Sequence, residues 1–201
     1  MLQWRRWTDE ADRSDGVLGS DWVYKNGAVN PRIASGTINA NASGVFPAEY
    51  KRLLASADQY VATTIEQISS TSNFLFLRGS GTATSGTFPL LTISTAGSEI
   101  ATATSWALAG YTARASQATA IALFDVIEFF VVSNVYYQFV NGVQRGSSWP
   151  DTTPIANQTG RYAGLIAQNN NTTRFGRLTV GDLRPSKLAI PTQSVNRSGS
   201  Y

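Results

Sequence analysis

Apolar runs in this chain are short, and turn residues rather than helical periods separate them. "WVYKNGAV", "PRIASGTI", "DQYVATTIEQI", "NFLFLRG", "TFPLLTI", "SWALAGYTA", "YYQFVNGVQRG", "YAGLIAQ" and "RFGRLTVGDL" are rich in β-branched and aromatic residues. Gly, Asn, Ser and Thr bound them, which is the signature of strands joined by tight turns. Asn26-Gly27 and Asn141-Gly142 each lie between apolar runs. Both residue types accept positive φ, so each pair predicts a two-residue hairpin. The second is the clearer, with Tyr136 to Val140 before it and Val143 after it. In "RFGRLTVGDL" the apolar residues Phe175, Leu178 and Val180 depart from strict alternation, which predicts a bulge at Gly176 or Arg177. One segment, "PAEYKRLLASA", reads as a turn or two of helix inside a connection. Many short strands without helices between them predict an all-β protein, an antiparallel β-sandwich or barrel.

Composition narrows the chemistry. A chain of 201 residues suits one all-β domain with a sizeable core. Cysteine and histidine are both absent. Disulfides, thiolate nucleophiles, Cys/His zinc sites and a Ser-His-Asp triad are therefore excluded together. The net charge of +3 is spread thinly and forms no basic stripe, so no nucleic-acid partner is expected. The greasiest run, Ile121 to Val132, is too short to cross a bilayer and contains Asp125 and Glu128, so no membrane insertion is expected. The opening "MLQWRRWTDE" is charged and lacks the apolar core of a secretory signal.

Four sets of residues invite a chemical reading. Asp9, Glu10, Asp12, Asp15 and Asp21 supply oxygens of the kind Ca²⁺ takes, but their spacing does not match a calcium loop. The expectation is no cofactor, with Ca²⁺ as the one ion this loop would suit. Asp125 and Glu128 are the only carboxylate pair that suggests glycoside hydrolysis. An offset of three puts them on opposite faces of a regular strand. Leu123 stands where the laminarinase-like E-x-D-x-x-E pattern needs its first acid, so no catalytic residues are assigned. Aromatic rings can stack on sugar faces, and Trp22, Trp106, Trp149, Tyr136 and Tyr137 are open to that role, with ordinary core packing as the alternative. "SSWPDTTP" is the best local case, so Trp149, Asp151, Tyr136 and Tyr137 are the candidate glycan-binding residues. "RGSGTATSG" follows a strand-like run but lacks both G-x-G-x-x-G and GK[ST], and reads as a hairpin loop.

The ends lack periodicity. Trp4, Arg5, Arg6 and Trp7 are the candidate docking residues of an irregular N-terminal arm, residues 1–8, and residues 184–201 form an extended tail. Between them, residues 9–183 form the domain. Its "DRSDGVLGSDW", "PRIASGTI", "GRYAGL" and closing "VGDL", taken in order, resemble concanavalin-like, laminin-G-like jelly rolls of tailed-phage minor tail proteins. Ala11 departs from the phenylalanine usual in that pattern. The resemblance implies a jelly-roll β-sandwich whose edge is closed by Trp22, with Gly16 and Gly19 turning tightly and the acidic residues at the rim. It also implies a non-enzymatic structural virion protein, assembled in the host cytoplasm and displayed on the particle. Its partners would be other virion proteins in a homo- or hetero-oligomeric assembly; host cell-surface polysaccharide is the further partner that an adhesive role would add. A lectin-like carbohydrate-binding module is the alternative, and a glycoside hydrolase the third reading.

Overall fold

The computed structural model describes residues 6–25, 31–40, 42–79, 87–117, 119–152, 160–169 and 173–183. Two antiparallel sheets stack face to face. The ten-stranded sheet follows the path β14 (Val143–Gln144), β13 (Val135–Val140), β12 (Val126–Val132), β7 (Gln59–Gln67), β17 (Arg174–Asp182), β5 (Thr37–Asn39), β4 (Arg32–Ala34), β2 (Gly16–Val17). Strand β1 (Arg6–Asp9) adds to β17, and β15 (Trp149–Pro150) adds to β13. The seven-stranded sheet runs β11 (Thr112–Gln117), β10 (Gly97–Ala103), β9 (Phe88–Ser94), β8 (Asn73–Gly79), β16 (Tyr162–Gln168), β6 (Val45–Tyr50), β3 (Trp22–Tyr24).

Alternation decides what enters the core. On β7, Val61 and Ile65 are buried while Tyr60, Ala62 and Thr64 point outward. Ile127, Phe129 and Val131 do the same on β12, and they meet Leu75, Leu77, Leu91, Ile93, Ile100 and Leu165 from the facing sheet. Strand β8 does not alternate, because both of its faces are covered. Leu75 and Leu77 join the main core, whereas Phe74 and Phe76 face the other way. There they form a second cluster with Phe88, Leu90, Ala101, Ala103, Trp106 and Ile166 on the outer face of the seven-stranded sheet.

The hairpin at Asn141-Gly142 forms as expected, with φ of 53° and 75° and Val140 opposite Val143. Asn26-Gly27 and "SGTATSG" lie outside the described residues. The bulge is present too: Phe175 pairs with Ile65 and Leu178 with Thr63, so Gly176 and Arg177 together oppose Thr64. Four local expectations are corrected. "PRIASGTI" is two strands joined at Ser35-Gly36, whose φ values of 53° and 71° make the turn. "PAEYKRLLASA" contains no helix; its first residues complete β6 and the remainder bends away. "SWALAGYTA" is a loop until Thr112, because Trp106 turns back onto the outer cluster. Arg6 to Thr8, expected in the irregular arm, instead form a strand of the sandwich together with Asp9, with Trp7 opposite Val180.

One backbone feature carries a stability prediction. Phe124 has φ of 66° and its side chain is 71 % exposed. The surrounding bonds hold it there: its amide donates to Ile65 O (2.7 Å), and Ile65 N donates to Asp125 O (3.0 Å). Left-handed backbone costs a residue with a Cβ roughly 1 kcal/mol, and an exposed ring returns little of that. Phe124→Gly is therefore expected to raise stability by about 0.5–1 kcal/mol, read as a higher urea midpoint at unchanged slope. A lower midpoint would mean that the ring contributes packing.

Candidate functional site: a polar row on the outer sheet face

The register of the seven-stranded sheet brings residues from three strands into line. Glu99 on β10 lies opposite Thr92 on β9 and opposite Ser116 on β11. Glu99 shares its outward side with Ala101, Thr92 shares its own with Leu90, and both of those apolar neighbours belong to the outer cluster. Tyr111, at the end of the loop that carries Trp106, reaches back along this face. Its hydroxyl donates to Glu99 Oε1 and lies 2.8 Å from Thr92 Oγ1. Ser116 Oγ donates to Glu99 Oε2 at 2.9 Å.

The result is one carboxylate with a hydroxyl on each oxygen, beside an aromatic residue that is 40 % exposed. Partial burial, and then the bond to Glu99, push the Tyr111 hydroxyl above its ordinary pKa, so it stays a neutral donor. The loop is held from below and within. Trp106 stacks on Phe88 at 4.1 Å and meets Phe76 edge-on at 4.9 Å. Thr104 N donates to Ala109 O at 2.9 Å, closing the loop. Such a row suits a polyhydroxyl ligand: a carboxylate accepts from ligand hydroxyls, side-chain hydroxyls exchange partners, and a ring face packs on C–H groups.

The residues selected from sequence lie elsewhere. Tyr136 is fully buried; burial pushes its hydroxyl up to about 12, against the opposing Arg78, whose Nη1 is 3.3 Å away. Asp151 is buried as well. Trp149 is half-buried in β15, its ring stacked on Tyr136 at 5.0 Å with the Arg114 guanidinium 5.3 Å from its centre. Tyr137 points out from the opposite, ten-stranded sheet and stacks on Phe130 at 5.4 Å. Trp22 and Trp106 are both core residues.

At the N-terminus, Trp4 and Arg5 lie outside the described residues. Arg6 is exposed on β1, and Trp7 packs against Trp22 at 5.1 Å and Tyr50 at 4.6 Å. The acidic residues disperse. Asp9 is buried rather than at the rim, Glu10 pairs with Arg177 at 3.8 Å, Asp15 caps the Ser35 amide at 2.8 Å, and Asp21 pairs with Lys51 at 3.5 Å. Among the described residues no three carboxylates gather into a cation cage. Asp125 braces turns, accepting from Ala122 N at 2.8 Å and from Asn141 Nδ2 at 2.7 Å, while Glu128 points out from β12.

Sequence reasoning passed over Thr92, Glu99, Tyr111 and Ser116, none of which sits in a motif. One signal was present: Glu99 is the only charged residue between Arg78 and Arg114. A lone charge in so long a neutral run has to be solvated or partnered.

No protein-family model and no curated protein sequence matches the chain. Solved structures do. A Bacillus subtilis protein of unknown function with a galectin-like fold superposes at TM-score 0.61, 9 % identical, over 90 % of this chain and 100 % of that one. The carbohydrate-binding module CBM66 from Bacillus subtilis gives 0.54 at 10 % identity, over 81 % and 92 %. The exoplasmic/lumenal domain of VIP36, in its metal-free form, gives 0.54 at 8 % identity, over 87 % and 90 %. The fold is a galectin-like jelly roll. At these identities the likeness concerns the fold alone, so the jelly roll's function has to be argued from its own side chains.

Proposed function

We propose that this jelly roll is a non-enzymatic, lectin-like carbohydrate-binding module whose ligand lies across β9, β10 and β11. The observation that carries the reading is the outward row of Thr92, Glu99 and Ser116 with the Tyr111 side chain laid against it. Two of the structural neighbours support it in kind: CBM66 is a carbohydrate-binding module, and the VIP36 domain has also been solved with Ca²⁺ and mannose-containing ligands. The row brings a single carboxylate, whereas glycoside hydrolysis ordinarily uses two flanking the scissile bond.

Binding to immobilised oligosaccharides is the test. Tyr111→Ala and Glu99→Gln are each expected to weaken binding about tenfold to a hundredfold, the range for a lost aromatic platform or charged hydrogen bond. Both positions are solvent-facing, so melting temperatures should move little. Glycan binding that is unchanged in both variants would place the ligand elsewhere and overturn the proposal.

The order of motifs between Asp9 and Leu183 supports a setting for such a module: the surface of a tailed-phage particle, meeting host polysaccharide. The three neighbours described above add no support for that setting. Incorporation of tail-truncated protein into particles is the measurement for that setting. Removal of residues 184–201 tests it best, because β1 makes residues 6–8 part of the sandwich.

A further inference from the structure

The run from Gly79 to Ala113 supplies β9, β10 and the loop bearing Trp106 and Tyr111, and its only charge is Glu99. The side chains that touch this carboxylate, Tyr111 and Ser116, are uncharged, as is Thr92. Arg114, the cation of β11, is engaged away from it. Its Nε donates to Thr102 Oγ1 at 3.2 Å and its guanidinium lies over Trp149. Among the described residues, then, no cation pairs with Glu99, and the row presents one negative charge to whatever lies on it.

We infer that the site selects neutral glycans and rejects sugars bearing a carboxylate or sulfate where they cover Glu99. This rests on the glycan-binding reading and assigns its substrate class. A neutral sugar offers adjacent hydroxyls as donors to the two carboxylate oxygens, in place of Tyr111 and Ser116 or beside them. An anionic sugar would give up hydration and meet a like charge with no cation to compensate.

The experiment compares matched pairs of oligosaccharides, one neutral and one with a uronic acid or sulfated residue at the same position. The wild-type protein is measured at low and high salt, beside Thr92→Lys, which sets a cation next to Glu99. The neutral member is expected to bind at least about tenfold tighter at low salt, with the ratio narrowing as salt screens the repulsion. Thr92→Lys should narrow the ratio as well. A ratio near one, a preference for the acidic member, or a ratio indifferent to both salt and Thr92→Lys overturns this inference and leaves the glycan reading standing. Failure of every neutral and acidic glycan to bind overturns both.

Discussion

Asp9→Ala is expected to cost about 2–4 kcal/mol of folding stability, chiefly for the buried donors it leaves without an acceptor, since the Arg13 side chain is 40 % exposed and can turn to water. Asp9 is 4 % exposed and four donors converge on it. Oδ1 accepts from the Ala11 amide at 3.0 Å and from Arg13 Nη1; Oδ2 accepts from Arg13 Nη2 at 2.9 Å and from the Trp22 indole at 3.1 Å. Arg13 also donates to the Leu18 carbonyl, so the one pair ties the first strand to the glycine-spaced turn after it. Alanine would leave the indole N–H and the Ala11 amide without their acceptor inside the core, and buried donors without partners are costly. Chemical denaturation reads the loss; less than about 1 kcal/mol would mean that water replaces the carboxylate.

The same group makes stability depend on acid. Burial alone pushes the Asp9 carboxyl up, but the bonds from Arg13, Ala11 and Trp22 and the Arg13 charge outweigh it and hold the folded pKa below the ordinary 3.8. A folded pKa lower than the unfolded one means that the contribution is complete above about pH 4. It falls away as pH drops through the folded value. Asp9→Asn should remove that segment of the pH–stability curve while altering the shape of the site little. A variant that loses stability with acid as steeply as the wild type would assign the effect to another carboxylate.

Trp106→Ala is the second large effect, expected at about 3–5 kcal/mol for a buried indole cut back to a methyl group. Trp106 is fully buried, and a side chain at Gly79 would already come within 3.3 Å of it. Rings of Phe76 and Phe88 flank the indole, so its removal leaves a cavity that rigid strands cannot close. It should also weaken glycan binding, since the same loop places Tyr111 over the row. Tyr111→Phe, by contrast, should affect binding without a comparable loss of stability. If Trp106→Ala binds sugar as well as the wild type, the loop is positioned by its hydrogen bonds alone.

Most strands, the Asn141-Gly142 hairpin and the bulge at Gly176 were determined by the sequence itself, through dihedral preferences and a two-residue period, both of which are local. That the strands build a jelly-roll sandwich was implied by the resemblance of the ordered motifs, not by those local rules. The allocation of faces was determined by neither. Tyr136 and Tyr137 are neighbours of similar chemistry, yet alternation sends one into the core and the other to the outside, and only the opposing sheet fixes which. "NFLFL" could not announce two separate clusters, because a run covered on both sides carries no alternation to read. Thr92, Glu99 and Ser116 lie on three strands that pairing register aligns, and the loop carrying Trp106 brings Tyr111 to them. Register follows from what each sheet buries, so the core had to be assembled before the polar row could exist.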